Sequence, residues 1–261
     1  MEDLSHYNPE GSVLRRAQMR MVEILDVFDA ICKKHHIDYW LVWGTLLGAR
    51  RHGGFIPWDD DLDVAVLQSD YKKLLTILEN ELPKNLKLQA RGGTDEKYLF
   101  YYAKIRDTKS RYHDKLRYNY QGIFIDIFPV EPVPSIKFKR IIDKFLFIEV
   151  RFIRAISLYH KIKYGLIVWL LPIIRFIIML ARNYYKYISS KKNYSFAYGV
   201  FYYSKLNMKY FLPTSELNFE GKKYKAPHNP DGYLIDTYGP NFMEIPEVAN
   251  RTRHSTKIEF L

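Results

Sequence analysis

Four aspartates fall within five positions, Asp59, Asp60, Asp61 and Asp63, at the end of GTLLGARRHGGFIPWDDDLD (residues 44–63). In a strand, alternate side chains share a face, so in DLDVAVL the residues Asp61, Asp63 and Ala65 point one way and Leu62, Val64 and Val66 the other. Like charges a few ångströms apart repel by roughly 4 kcal/mol at an effective dielectric of about 20. Without a cation, one of the two carboxyls would take up a proton. Oxygen-only ligands suit Mg²⁺ or Mn²⁺, hard cations that keep water and bind substrate phosphates. Asp126 is the candidate third acid. In GIFIDIFPVEPVP it shares a face with Phe124 and Phe128, opposite Ile123, Ile125 and Ile127, and a mid-strand acid among apolar neighbours is costly unless paired or metal-bound.

Groups suited to phosphate surround these acids in the chain. Gly44 and Thr45 follow the apolar run YWLVW (39–43) and precede LLGARR. A strand, a small-residue turn and a helix N-terminus offer backbone N–H groups and a favourable dipole to phosphate oxygens. Arg50, Arg51 and His52 either reach phosphate or form a solvated turn. Lys104 and Arg106, two apart in YLFYYAKIRD (98–107), share one face. That face is either a solvated edge or, turned to the carboxylates, a diphosphate-binding surface.

The elements that must position these groups follow from periodicity. Residues 9 to 34 read as a helix opened by Asn8 and Pro9, with Leu14, Met21, Leu25, Phe28 and Cys32 at helical spacing. The run 39–43 reads as a buried strand. A loop marked by Gly53, Gly54 and Pro57 leads to the strand carrying Asp61 and Asp63. A helix from about Ser69 to Leu82 follows, with Ser69 as cap and Leu74, Leu75 and Leu78 inward. LKLQA (86–90) is a strand, and Pro129, Pro132 and Pro134 mark a boundary. Near the end, Asn229 and Pro230 open a helix that runs through Tyr233, Leu234 and Tyr238 to Gly239. His35 and His36 have no partner at ligand spacing, and His254 is either a site residue or part of a polar tail.

At 261 residues the chain accommodates one large domain, or a core with an insertion, and 48% hydrophobic with 16% aromatic residues excludes disorder. One cysteine, Cys32, allows no internal disulfide, and MEDLSHYNPE lacks signal-peptide regions; a reducing cytoplasm is expected. The net charge of +11 is uneven. Positions 132 to 225 hold 18 Lys and Arg against 4 Asp and Glu, while the remainder holds 22 against 25. Within that basic region, YGLIVWLLPIIRFIIMLA (164–181) approaches the length of a membrane span but contains Pro172 and Arg175. An interfacial or re-entrant helix, flanked by Lys161, Lys163, Arg182, Lys186, Lys191 and Lys192 with Tyr184, Tyr185 and Tyr187, stands beside a buried helical core as the alternative. These readings divide the chain into a core (1–131), a basic helical insertion at a membrane surface or acceptor site (132–215) and a C-terminal segment packing back on the core (216–261).

GTLLGARRHGGFIPWDDDLDV resembles the signature of the LicD family, a branch of the nucleotidyltransferase-fold superfamily that includes the fukutin-type phosphotransferases. The similarity continues through KIRD (104–107) and GIFIDIFPV (122–130), and returns in FEGKKYKAPHNPDGYLIDTYGPNFMEIP. Position 50 is Arg where the family pattern has a small apolar residue, while Arg51 keeps its place. The resemblance implies an α+β fold, a nucleotidyltransferase-like mixed sheet with flanking helices and a basic, aromatic helical insertion. It implies Mg²⁺-dependent transfer (Mn²⁺ as substitute, two ions) of phosphocholine or a related alcohol phosphate from CDP-choline or another CDP-alcohol. The acceptor would be a hydroxyl of a cell-surface glycan or lipid-linked precursor such as teichoic acid or lipopolysaccharide. By position, Asp61, Asp63 and Asp126 look like the metal-binding and catalytic acids, and Gly44 and Thr45 look like the phosphate turn. Arg51, Lys104 and Arg106 would neutralise the leaving nucleotide, and Asp126 would help deprotonate the acceptor. A quaternary ammonium would lie over aromatic faces, with Trp58 and Tyr233 the candidates and Trp40 and Trp43 more suited to core packing. The expected setting is the inner face of the cell membrane, held through 132–225, with no nucleic-acid partner. Rival readings are a D-x-D sugar-nucleotide glycosyltransferase and a non-catalytic membrane-associated scaffold.

Overall fold

The computed structural model describes residues 3–113, 118–153, 162, 164–165, 169–187, 193–251 and 257–261. Lys161, Lys163, Lys191, Lys192 and His254, and residues 166–168 of the long apolar run, lie outside the described residues.

The first helix, α1 (Val13–Lys34), buries Leu14, Ala17, Met21, Leu25, Phe28 and Cys32, the three-and-four spacing of a helix face. It begins four residues later than the sequence suggests, because Ser12 is the cap, its hydroxyl accepting from Arg15 N–H at 3.2 Å. Asn8 instead donates to the Gln18 side chain at 2.8 Å. β1 (Tyr39–Leu41) is shorter than the apolar run. Val42 is still extended, but Trp43 turns into the left-handed region at φ +45° and opens α2 (Trp43–His52), so Gly44 and Thr45 lie in the first helical turn.

β2 (Asp63–Leu67) leads into α3 (Gln68–Glu81), which buries Tyr71, Leu74 and Leu78. Ser69 is not its cap: Leu67 takes that position without a side-chain hydrogen bond, and the Ser69 hydroxyl lies 3.5 Å from Asp70. β3 (Leu86–Gln89), β4 (Ala103–Asp107), the short β5 (Ser110–Tyr112) and β6 (Phe124–Val133) follow. Only 103–107 of the predicted 98–107 strand is regular. β6, by contrast, continues through Pro129 and Pro132, which pair opposite Val66 and Tyr194.

The main sheet has the order β1-β2-β6-β4-β3. β2 runs parallel to β6 and the other neighbours are antiparallel. After α4 (Ile136–Ile153) and α5 (Leu171–Tyr187), β7 (Asn193–Phe196) returns to the same sheet and pairs with the second half of β6. Phe196, Ala197, Leu206 and Phe211 then join the main core, while Ile142, Leu146, Leu171, Ile174 and Ile178 form a second cluster between α4 and α5. A β8–β9 hairpin (Ser215–Phe219, Lys222–Ala226) and α6 (Pro230–Tyr238), capped by Asn229 through Gly232 N–H at 2.9 Å, close the molecule, with β10 (Ile258–Phe260) paired to β5. The architecture is α+β with a mixed sheet.

Candidate active site

The register of three strands assembles the acids. Asp63 pairs with Asp126 across the parallel β2–β6 ladder, and Asp126 pairs with Lys104 across the antiparallel β6–β4 ladder. Paired residues point to the same face and neighbouring strands lie about 4.8 Å apart, so Asp63, Asp126 and Lys104 form a polar row across the sheet. Lys104 Nζ stands 2.8 Å from Asp126 Oδ2 as a hydrogen bond and 2.5 Å from Oδ1 as an ion contact. The Oδ1 contact lacks hydrogen-bond alignment, so this buried oxygen keeps acceptor capacity. The Lys104 ammonium also lies 3.5 Å from the centre of the Phe124 ring. Burial pushes Asp126 up and Lys104 down, each toward its neutral form, and their attraction opposes both shifts.

Asp61 precedes β2 and Asp59 comes two residues before that. Both line a cavity of about 720 Å³ together with Asp63, Trp43, Gly44 and Arg51. The Asp59 carboxyl accepts from Asp60 N–H at 3.1 Å and lies close enough to Asp61 to feel its charge. Burial and the neighbouring Asp61 push Asp59 well above the usual carboxylate range. Burial, then Asp61 and Asp126, do the same to Asp63. Carboxyls crowded in this way are a donor set short of positive charge. Among the described residues, no group of three or more His, Cys, Asp or Glu side chains is already arranged to hold a metal ion. A hard cation that retains waters needs only one or two carboxylates besides substrate phosphates, and Asp61 and Asp63 fit that requirement.

Helix α2 positions the acids from the other side. The Thr45 hydroxyl, 2% exposed, accepts from Asp63 N–H at 2.8 Å, which fixes the entry to β2. A side chain at Gly44 would put its Cβ 2.8 Å from Asp59 Oδ2, so the glycine makes room for that acid. Trp43, in the left-handed region, packs on Phe128, Phe196 and Tyr202 with centroids 4.8, 4.3 and 4.6 Å away.

Residues 36–151, which carry the acids, Gly44, Thr45, Arg51, Lys104 and Arg106, match the family described as LicD/FKTN/FKRP, nucleotidyltransferase domain. They form a LicD-family domain. Similarity extends past it: the lipopolysaccharide cholinephosphotransferase LicD of Haemophilus influenzae is 27% identical over 260 residues, 92% of this chain and 95% of that protein. The human ribitol 5-phosphate transferase FKRP is 53% identical over 34 residues, 13% of this chain and 7% of that protein. An uncharacterized Rickettsia prowazekii protein, RP689, is 53% identical over 77 residues, 30% of this chain and 27% of its own.

Within the LicD-family domain, the structure brings Asp61, Asp63, Gly44, Arg51 and Trp58 to the cavity, and places Asp126 and Lys104 beside Asp63. Arg51 is partly committed: its Nη1 donates to the carbonyls of Phe242 and Glu244 at 3.0 and 2.8 Å, anchoring the cavity wall. Arg106 is not at the cavity. It is fully buried, donating to Gln89 Oε1 at 2.6 Å and Gly122 O at 2.9 Å, two residues beyond Lys104 on β4. Trp58 is covered by the Arg251 guanidinium, 4.8 Å from its ring centre. Tyr233 packs in the core against Phe211, 3% exposed, and does not line the cavity.

Sequence reasoning missed three contributors. Asp59 reads as a loop acid until the fold sets it against Asp61. Tyr238 lies five residues beyond Tyr233 on α6, and its exposed ring is the one that faces the cavity. Tyr202, about 140 residues from the acids, carries no sequence signal.

Proposed function

We propose that this protein transfers an alcohol phosphate from a CDP-alcohol to a hydroxyl of a cell-surface glycan or its lipid-linked precursor, with phosphocholine as the first headgroup to test. The observation that carries the reading is the set of acids Asp59, Asp61 and Asp63 lining a cavity that the first turn of α2 also lines, in a chain similar over nearly all its length to a cholinephosphotransferase. In the reaction, the acceptor oxygen bonds to the phosphorus that carries the alcohol, the bridging P–O bond breaks, CMP leaves and one proton is released.

Mg²⁺, or Mn²⁺ in its place, held by Asp61 and Asp63 would supply neutralisation of the diphosphate oxygens. The chain's residues do the rest. Gly44, at the helix N-terminus, offers backbone N–H to phosphate. Lys104 holds Asp126 against Asp63. Asp59, which lines the cavity and would be ionised with a cation bound, is better placed to take the acceptor proton than Asp126, which is held by Lys104 and does not line it. Trp43, Tyr202 and Tyr238 line the cavity where a quaternary ammonium could lie on aromatic faces.

The test is to incubate the purified protein with CDP-choline, CDP-glycerol or CDP-ribitol, Mg²⁺ and a glycan acceptor. CMP and a phosphodiester product are expected from one donor, with loss on omitting Mg²⁺ or acceptor. Failure of all three donors, or release of a nucleoside diphosphate from a sugar nucleotide with a glycosidic product, would overturn the proposal.

A further inference from the structure

Between Pro134 and Lys192 the sequence holds only two acids, Asp143 and Glu149, and the fold buries both against cations. Asp143 pairs with Lys139 and accepts from Gly199 N–H at 2.7 Å. Glu149 pairs with Arg91 at 3.0 Å and Arg175 at 2.6 Å, and accepts from the Tyr101 hydroxyl at 2.8 Å. The α4–α5 unit therefore presents no carboxylate to solvent, while Lys137, Arg140, Lys144 and Arg151 are exposed on α4.

α5 carries two apolar stripes. Leu171, Ile174 and Ile178 are buried in the cluster with α4. Ile173, Phe176, Ile177 and Leu180 are exposed, and at 3.6 residues per turn they fall within an arc of about 100° on the opposite side of the helix. Trp169 before the helix, 82% exposed, and Tyr184 and Tyr187 near its end continue the same line. Soluble monomers seldom expose a contiguous apolar patch of this kind without a partner.

We propose that this outer face of α5 lies in the headgroup region of an anionic lipid bilayer, parallel to its surface, with the α4 cations against lipid phosphates. The charge decides the occupant. A helical unit with exposed cations and no exposed acids complements an anionic surface, whereas a second copy of the chain would bring like charges together. The ring-bearing ends suit the membrane interface. Among the described residues no helix is long and apolar enough to cross a membrane, and an in-plane amphipathic helix needs no such length. None of these residues lines the carboxylate cavity, so the proposal stands or falls apart from the transferase reading.

The test is sedimentation of the full chain with vesicles of phosphatidylcholine alone or mixed with phosphatidylglycerol. Wild type is expected to bind the anionic vesicles, weakening at least about ten-fold on pure phosphatidylcholine or in high salt. The exposed double variant Phe176→Glu/Leu180→Glu should lose binding by at least about ten-fold with an unchanged melting temperature. Quenching of tryptophan fluorescence by brominated lipid should vanish in Trp169→Phe. Absence of wild-type binding, equal binding by the double variant, or a wild-type dimer that the double variant dissolves without any vesicle binding would overturn it.

Discussion

Asp63, 9% exposed, is buried beside Asp126 on the neighbouring strand and feels the charges of Asp61 and Asp59, and the cost of burying it among these acids has a sign that can be measured. The carboxyls of Asp59 and Asp63 are raised above their ordinary value of 3.8, so folding favours their protonated forms. Their contribution to stability is present in full below that value and is lost as pH rises through the raised one. The metal-free protein should therefore lose stability from about pH 4 upward, and Mg²⁺ should restore part of it near neutrality. Asp63→Asn removes the cost. Calorimetry of the metal-free variant at neutral pH should show a melting temperature higher by about 2 °C, for about 1 kcal/mol, while CMP release falls about 100-fold or more. A lower melting temperature would contradict the electrostatic account. Lys104 and Asp126 behave differently because they already compensate one another. Lys104→Met strands a buried carboxylate and should cost about 3 kcal/mol in denaturant unfolding, most of it recovered by the double variant Lys104→Met/Asp126→Leu.

At the scale of elements, α2 is the part that aims the acids, and two of its glycines are required by close approach. Gly48 lies where a Cβ would meet the Gly54 carbonyl oxygen and stand 2.9 Å from Ile56 N, both backbone atoms of the loop leading to Asp59. Gly44 would meet only the flexible Asp59 side chain. The two alanine variants should separate cleanly: Gly48→Ala loses about 2 kcal/mol of stability by overpacking, whereas Gly44→Ala keeps its melting temperature and loses turnover. Equal thermal losses would mean that Gly44 is needed for the fold and not for Asp59. The strands β1 to β4 and β6 and the helices α1, α3 and α6 were legible in the sequence because their apolar spacing survives tertiary packing, whereas β7 and the β8–β9 hairpin were not. The prolines of β6 misled because Pro132 falls where the edge partner β7 pairs, and that partner arrives only some sixty residues later.

For the whole molecule, the cavity is closed by chain far from the acids. Arg51 holds the carbonyls of Phe242 and Glu244, Arg15 grips Glu220 bidentately at 3.0 and 2.8 Å, and Arg50 pairs with Asp231 at 2.7 Å. These clasps differ in value. Arg50 and Asp231 are 40% and 45% exposed, so Arg50→Ala should cost less than about 1 kcal/mol and leave kinetics unchanged. Arg51→Met should loosen the wall bearing Tyr238 and Asn241 and raise KM for the proposed CDP-alcohol donor about ten-fold at nearly constant kcat. A similar effect from both variants would show that closure depends on net charge and not on the anchored carbonyls.

By itself the sequence singled out candidates for the chemistry: Asp61 and Asp63 in a run of four acids beside a glycine-threonine turn, and Asp126 in an apolar strand, placements that burial makes costly without a partner. It also determined the charge asymmetry and the helical and strand periods, since these depend on near neighbours. Only the tertiary structure decided the pairing of Lys104 with Asp126, the withdrawal of Arg106 and Tyr233 into the core, and the arrival of Asp59, Tyr202 and Tyr238 at the cavity. Strand register and long-range closure set those placements, and neither is encoded in local spacing.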